Sequence, residues 1–199
     1  MIRPCVIAVA ALWGATHAFA TDTQGLRLLE HERSFIVHTP SGPFTITRSK
    51  TACGSDKGYL QPLVPMKGVR PVTEIEVLHA LNDPSTMVID MRDEDAPLDA
   101  TIPNSYHIAY NEIEDRLDEV GCVKTPGKRW NCTKASKVIA FCYGPMCLQS
   151  PTGIQRMVRM GFPVRNISYY RGGMMDWEAL GLTTVTGNRL TQRPVTTPQ

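Results

Sequence analysis

Cys142 and Cys147 lie five residues apart in residues 138–161, VIAFCYGPMCLQSPTGIQRMVRMG. A cysteine attacks as its thiolate, so its chemistry depends on whether its surroundings favour negative charge. Val138, Ile139, Ala140 and Phe141 form a short apolar run, the pattern of a buried strand that ends at Cys142. A loop with Gly144 and Pro145 follows. Ser150 then reads as a helix N-cap and Pro151 as the first helical residue, where its missing N–H costs nothing. Ile154, Met157 and Val158 recur at helical spacing, and Gly161 reads as the stop. A thiol at a strand end facing a helix N-terminus would meet free backbone N–H groups. These donors and the helix dipole favour a thiolate and would hold an anion beside the sulfur. The competing reading is a buried structural cysteine, since free Cys is among the most buried residue types.

The elements that must position this loop alternate in type. Residues 34–48 read as a hairpin turning at residues 40–43, and residues 49–70 as a long loop rich in Gly, Pro and Lys. A loop of that length is often functional or partner-facing. Thr73 and Glu76 form a capping-box pattern that opens a helix carrying Val77, Leu78 and Leu81. Residues 87–90 read as a strand, 106–109 as a short strand and 112–120 as a helical turn or two. Residues 121–132 read as a polar loop with a cysteine near each end. Residues 166–170 read as a strand, followed by a turn at Arg171, Gly172 and Gly173. A short helix then carries Met174, Trp177 and Leu180 and stops at Gly181. Strands alternating with helices imply an α/β fold: an open, mostly parallel sheet with helices on both faces. Such sheets bind ligands beyond the carboxyl ends of their strands, where Cys142 stands.

Composition narrows the function. With 42% apolar and 20% charged residues the chain is ordinary for a globular protein. A net charge of +2 gives no reason to expect a nucleic-acid partner. Residues 1–20 read as a signal peptide, with Arg3 in the n-region, an apolar stretch from Val6, and Ala18-Phe19-Ala20 as the cleavage pattern. The apolar run is too short to span a membrane, so no membrane insertion is expected. The expectation is a protein exported to the periplasm, where disulfides persist. The domain expectation is a signal peptide over 1–20, a hairpin-and-loop extension over 21–70, a catalytic-type domain over 71–186 and a polar tail over 187–199.

Four segments, taken in order, resemble the rhodanese-like domain family. Met87 to Arg92 resembles its early strand with Asp-x-Arg, and Thr101 to Ile108 its "H-I-P-G-A-x-x-I" segment. Cys142 after the apolar run resembles its active-site cysteine. Tyr170-Arg171-Gly172-Gly173-Met174, with Trp177, Gly181 and Leu182, resembles its closing segment. The resemblance implies a sulfurtransferase in which Cys142 accepts a sulfane sulfur as a persulfide and passes it to a thiol or cyanide. The substrate-binding loop would be Tyr143, Gly144, Pro145, Met146, Leu148, Gln149 and Ser150. The partners implied are a small sulfur-containing donor and a thiol acceptor, with an exported protein partner a further expectation. No cofactor and no metal are called for. Two departures stand out. The loop is longer than the family's usual six residues, and it contains neither Arg nor Lys. An Arg that would clamp phosphate bidentately is therefore missing, which speaks against phosphatase activity. Thiosulfate turnover should also be slow.

Cys147 is either the partner that resolves Cys142 through a disulfide, the sulfur carrier itself, or structural. Cys122 and Cys132 flank one loop and are expected to pair as a disulfide. Zinc is the weaker reading, because no C-x-x-C occurs and no His lies near either cysteine. Cys53 is then the odd thiol. Asp90 and Arg92 read as a structural pair, and the scattered His38, His79 and His107 as surface or core-edge residues. Two further functions stand beside sulfur transfer: a thiol–disulfide redox protein using Cys142 and Cys147, and a non-catalytic binding module of the same fold.

Overall fold

The computed structural model describes residues 34–46, 60–93, 100–127, 129–186 and 193–194. Cys5, Cys53, the signal-peptide reading and most of the polar tail lie outside the described residues. Strands β1 (Phe35–Thr39) and β2 (Gly42–Ile46) form the expected antiparallel hairpin. The central sheet has five parallel strands. These are β3 (Arg70–Pro71), β4 (Thr86–Asp90), β5 (Tyr106–His107), β8 (Lys137–Phe141) and β9 (Ile167–Tyr169), in the order β3-β9-β8-β4-β5. β6 (Val123–Thr125) and β7 (Arg129–Asn131) form a separate antiparallel ribbon, and β10 (Val185–Thr186) pairs with β11 (Arg193–Pro194).

The period-two alternation of strand side chains divides the core into two layers. Val138 and Ala140 of β8 join Met87 and Ile89 of β4 on one face, under Ile154 and Met157 of helix α2 (Gln149–Arg159). Ile139 and Phe141 point to the other face. There Val77 of helix α1 (Glu74–Ala80) and Met174 and Trp177 of helix α3 (Gly173–Ala179) cover them. Both faces of the inner strands are buried, which is why these strands read as continuous apolar runs.

Helix α1 begins as the sequence predicts. The Glu76 carboxylate accepts the Thr73 N–H at 2.9 Å. Three details differ from expectation. Helix α2 starts at Gln149 with Leu148 in the N-cap position, so Ser150 lies inside the first turn and does not cap it. The Ser150 hydroxyl is engaged elsewhere, as described below. Residues 121–132 are not a plain loop. They form the β6–β7 ribbon, because Val123, Lys124 and Thr125 can pair with Arg129, Trp130 and Asn131 across a tight turn. Strand β9 starts at Ile167, since Asn166 belongs to the short 3-10 turn Val164–Asn166.

Helix α2 ends as expected. Gly161 has φ 100°, its N–H donates to the Val158 carbonyl, and the N–H of buried Phe162 donates to the Met157 carbonyl at 3.0 Å. This double bond pattern satisfies two orphan carbonyls and needs a left-handed residue at Gly161.

Candidate active site

The site is assembled at the carboxyl end of β8. Cys142 follows directly on the strand, 2% exposed, and is a free thiol. The chain turns through residues 143–148 and enters α2, so the first amides of α2 face back toward the strand end. The helix divides these donors between two sulfurs. The Ser150 amide and hydroxyl serve Cys142, with Oγ 3.0 Å from Sγ. The amides of Gln149 and Tyr143 serve Cys147. Ser150 is thus a ligand of sulfur rather than a cap. Cys147, half-buried, is the second free thiol, and its Sγ lies 3.5 Å from Gln149 Oε1. The Cys142 thiol also donates to the Cys147 carbonyl at 3.6 Å.

The two thiols are shifted in opposite directions, with the lowered value on Cys147 where the sequence expected it on Cys142. Burial pushes the Cys142 thiol well above its ordinary value, and the neighbouring Cys147 adds to the rise. The Ser150 donors oppose it without prevailing. Cys147 moves the other way, down to about 7. The hydrogen bond from Cys142 is the main cause, and the Gln149 and Tyr143 amides add to it against partial burial and the charge of Asp93. The helix terminus does favour a thiolate, as expected. It favours it on the sulfur that keeps access to water.

The loop is held from three sides. From below, helix α3 supplies two N–H groups: Met174 donates to the Cys142 carbonyl at 3.1 Å and Met175 to the Tyr143 carbonyl at 2.9 Å. This contact explains the second glycine of the Gly172-Gly173 pair. Gly173 has φ 56°, and a Cβ there would collide with the Cys142 carbonyl oxygen. From the N-terminal side, the Gln61 N–H donates to the Pro145 carbonyl at 2.7 Å, and Arg171 Nη1 donates to the Gln61 carbonyl at 3.0 Å. The expected long loop therefore reaches the site at Gln61. From the third side, Gln149 Nε2 donates to Asp93 at 2.6 Å.

Asp90 and Arg92 form the expected structural pair, both buried, with Arg92 Nη2 2.6 Å from Asp90 Oδ2. Thr101, which stands where the family has His, donates its hydroxyl to Asp90 at 2.7 Å, a role the sequence did not reveal. The Arg92 guanidinium lies 5.1 Å from the centre of the Tyr143 ring, so the pair supports the loop through that ring. His107 contacts the Arg92 carbonyl at 3.0 Å, away from either thiol. The Tyr169 hydroxyl is buried without a hydrogen-bond partner among the described residues. Cys122 and Cys132 lie at disulfide distance, Sγ to Sγ 2.09 Å, at the base of the β6–β7 ribbon.

In front of Cys147 opens a pocket of about 440 Å³ lined by Tyr143, Gly144, Met146, Cys147, Leu148, Gln149 and Met175. The expected loop residues thus come together around this opening, except Pro145, held by Gln61, and Ser150, turned inward. Met175 is the member that sequence reasoning missed. Its signal was its place two residues after Gly173, which docks α3 against the loop. Among the described residues no helix is long and apolar enough to cross a membrane.

A family model agrees with this architecture. The rhodanese-like domain family model matches residues 73–180. Arsenate reductase 2.2 of Oryza sativa subsp. japonica is 32% identical over 118 residues, covering 58% of this chain and 86% of that protein. Among solved structures, a thiosulfate sulfurtransferase from Pseudomonas aeruginosa aligns with TM-score 0.45 and 20% identity, covering 65% of this chain and 22% of that one. A rhodanese-like domain from Anabaena aligns with TM-score 0.45 and 18% identity, covering 67% of this chain and 89% of that one. A parallel sheet covered on both faces, a cysteine at the end of its central strand and a family match over more than half the chain lead to one conclusion: this chain belongs to the rhodanese-like domain family.

Proposed function

We propose that this protein is an exported sulfurtransferase that carries sulfane sulfur on its Cys142–Cys147 pair. The observation that carries the reading is the pair itself: two free thiols share one helix N-terminus, the outer one facing a pocket with its pKa lowered to about 7. The family supplies the reaction class. Cys147 is where sulfur arrives, because its thiolate is available near neutrality and accessible, whereas Cys142 is buried and its thiol is pushed up by that burial. A donor R–S–SH gives its outer sulfur to the Cys147 thiolate and leaves as R–S⁻, so that Cys147 bears –S–SH. The Cys142 thiolate, formed as its proton is lost, can take that sulfur in a second exchange, returning Cys147 to the thiolate. No net oxidation occurs in either step.

Mass spectrometry of the loop peptide after donor treatment tests this. Cys142→Ser should still gain one sulfur on Cys147. Cys147→Ser should load Cys142 at least tenfold more slowly. Loading of Cys147→Ser at the wild-type rate would return the point of arrival to Cys142, the family position. A second reading has its own support: two free thiols share one loop, the Cys142 thiol donating to the Cys147 carbonyl, and an arsenate reductase is among the relatives. Closing a Cys142–Cys147 disulfide would supply two electrons to an acceptor. The loop has no Arg or Lys to clamp an oxyanion, so sulfur transfer is preferred. A reversible disulfide with no sulfur on either cysteine would reverse that order.

Export is part of the proposal. A Cys122–Cys132 pair at bonding distance suits an oxidising compartment. Intact mass of protein from its host should show a chain starting at Thr21; a full-length cytoplasmic chain would remove this element.

A further inference from the structure

The wall around Cys147 is unusual for a site that would handle small sulfur anions. Tyr143, Leu148 and Met175 are 43%, 58% and 45% exposed, so three large apolar side chains stand in water beside a reactive thiol. Together with Met146 they give the pocket a mainly apolar lining. None of the lining residues is basic. The nearby charge is negative: Asp93 holds Gln149, one of the lining residues, and disfavours the Cys147 thiolate. Arg92 is the cation beneath Tyr143, and it is already paired to Asp90. Among the described lining residues a dianion such as thiosulfate would find no ion-pair partner, and it would meet the field of Asp93. An apolar body would shed water on both surfaces. The volume, about 440 Å³, fits a small molecule of drug-like size or below.

From this wall we infer that the pocket of Tyr143, Met146, Leu148 and Met175 selects, as the sulfur acceptor at Cys147, a low-molecular-weight thiol with an apolar body, and excludes small anionic sulfur species. This deepens the sulfurtransferase reading and rests on it. The step is E–S–SH + R–SH → E–SH + R–S–SH. The bond between Cys147 Sγ and the outer sulfur breaks, and a bond from the acceptor sulfur to that outer sulfur forms. The acceptor's proton is left on Cys147 or released to water as the thiolate re-forms. The sulfane sulfur changes owner and nothing is oxidised overall.

Two measurements test it, one with transfer and one without. Persulfide-loaded protein is offered 2-phenylethanethiol or 2-mercaptoethanesulfonate, which share a two-carbon thiol arm and differ in the charge of the body. Separately, the unloaded protein is alkylated at Cys147 with N-benzyl-iodoacetamide or iodoacetate, each rate normalised to that of a free thiol. Seating a phenyl group in the pocket should favour the apolar member of each pair by roughly tenfold or more. Leu148→Lys and Met175→Lys, both at exposed positions, should bring the ratios toward one or invert them. Ratios near one in the wild-type protein for both measurements would overturn the inference. If neither thiol accepts sulfur while alkylation keeps its apolar preference and loses it in the Lys variants, the pocket stands and the sulfurtransferase reading falls.

Discussion

The division of labour between the two thiols turns on which of two effects wins at each sulfur. Cys142 and Cys147 each receive amide donors from the same helix start, so donors alone do not distinguish them. Burial and the contact between the two thiols do. At Cys142 the cost of desolvating a charge, added to by Cys147, outweighs the Ser150 donors, while at Cys147 the interaction with Cys142 and the amide donors outweigh partial burial. Because the folded-state value of Cys147, about 7, lies below the ordinary thiol value near 9, folding favours its thiolate. The linked stability is present in full above pH 9 and is lost as pH falls through about 7. The alkylation rate of Cys147 should therefore rise with pH around a midpoint near 7. Cys142→Ser replaces the thiol that contributes most to the shift, so its midpoint should move upward. A wild-type midpoint near 9 would contradict this electrostatic account. The cysteines and the helix start that faces them were legible as residue types at a spacing. Which sulfur would be buried was not, because that depends on how a loop two residues longer than usual folds back over its own first residue.

At the scale of elements, strand and helix positions followed from pattern wherever a single local signal decided them. The capping box at Thr73 and Glu76, the apolar run into Cys142 and the stop at Gly161 are of this kind. Legibility failed where a residue had two possible partners. Ser150 looks like a cap because Ser before Pro usually is one, and only the fold reveals a sulfur 3.0 Å away to accept its hydrogen bond. Residues 121–132 looked like a loop because their ribbon is short and polar, with little apolar alternation to announce a strand. The ribbon brings Cys122 and Cys132 to disulfide distance and buries both in the layer under α2. Closing this ring restricts the unfolded chain more than the folded one, so replacing both cysteines with Ser should cost about 2–3 kcal/mol in a urea titration. A change below about 1 kcal/mol would mean that the bond is absent in solution or that the ribbon is already ordered in the unfolded ensemble. The ribbon forms its own sheet and contributes no residue to the pocket at Cys147, so Cys147 reactivity should not change.

Across the whole molecule, the site depends on segments that are distant in sequence. Gln61, Asp93, the loop itself, Arg171 and α3 converge because the parallel sheet places the carboxyl ends of β3, β4, β8 and β9 side by side. Within this arrangement the chain before β3 acts as a brace. The Gln61 amide holds the Pro145 carbonyl, and Arg171 holds Gln61 in turn. Arg171 belongs to the family's closing segment and contributes to loop position through a residue that lies outside it. Arg171→Met keeps much of the apolar stem and removes the charged donor. A hydrogen bond from a half-buried guanidinium to a carbonyl is worth about 1 kcal/mol or somewhat more, so transient opening of the loop should become roughly five- to tenfold more frequent. Cys142, protected by burial, should then be alkylated faster by about that factor. Cys147, already accessible, serves as the internal control and should change little. Hydrogen exchange should quicken at the loop amides of residues 143–149 and stay unchanged in β4 and β8, whose ladder bonds do not depend on the brace. Equal protection of Cys142 in the two proteins would show that α3 holds the loop alone, through its contacts at Cys142 and Tyr143, and that Gln61 merely rests against it.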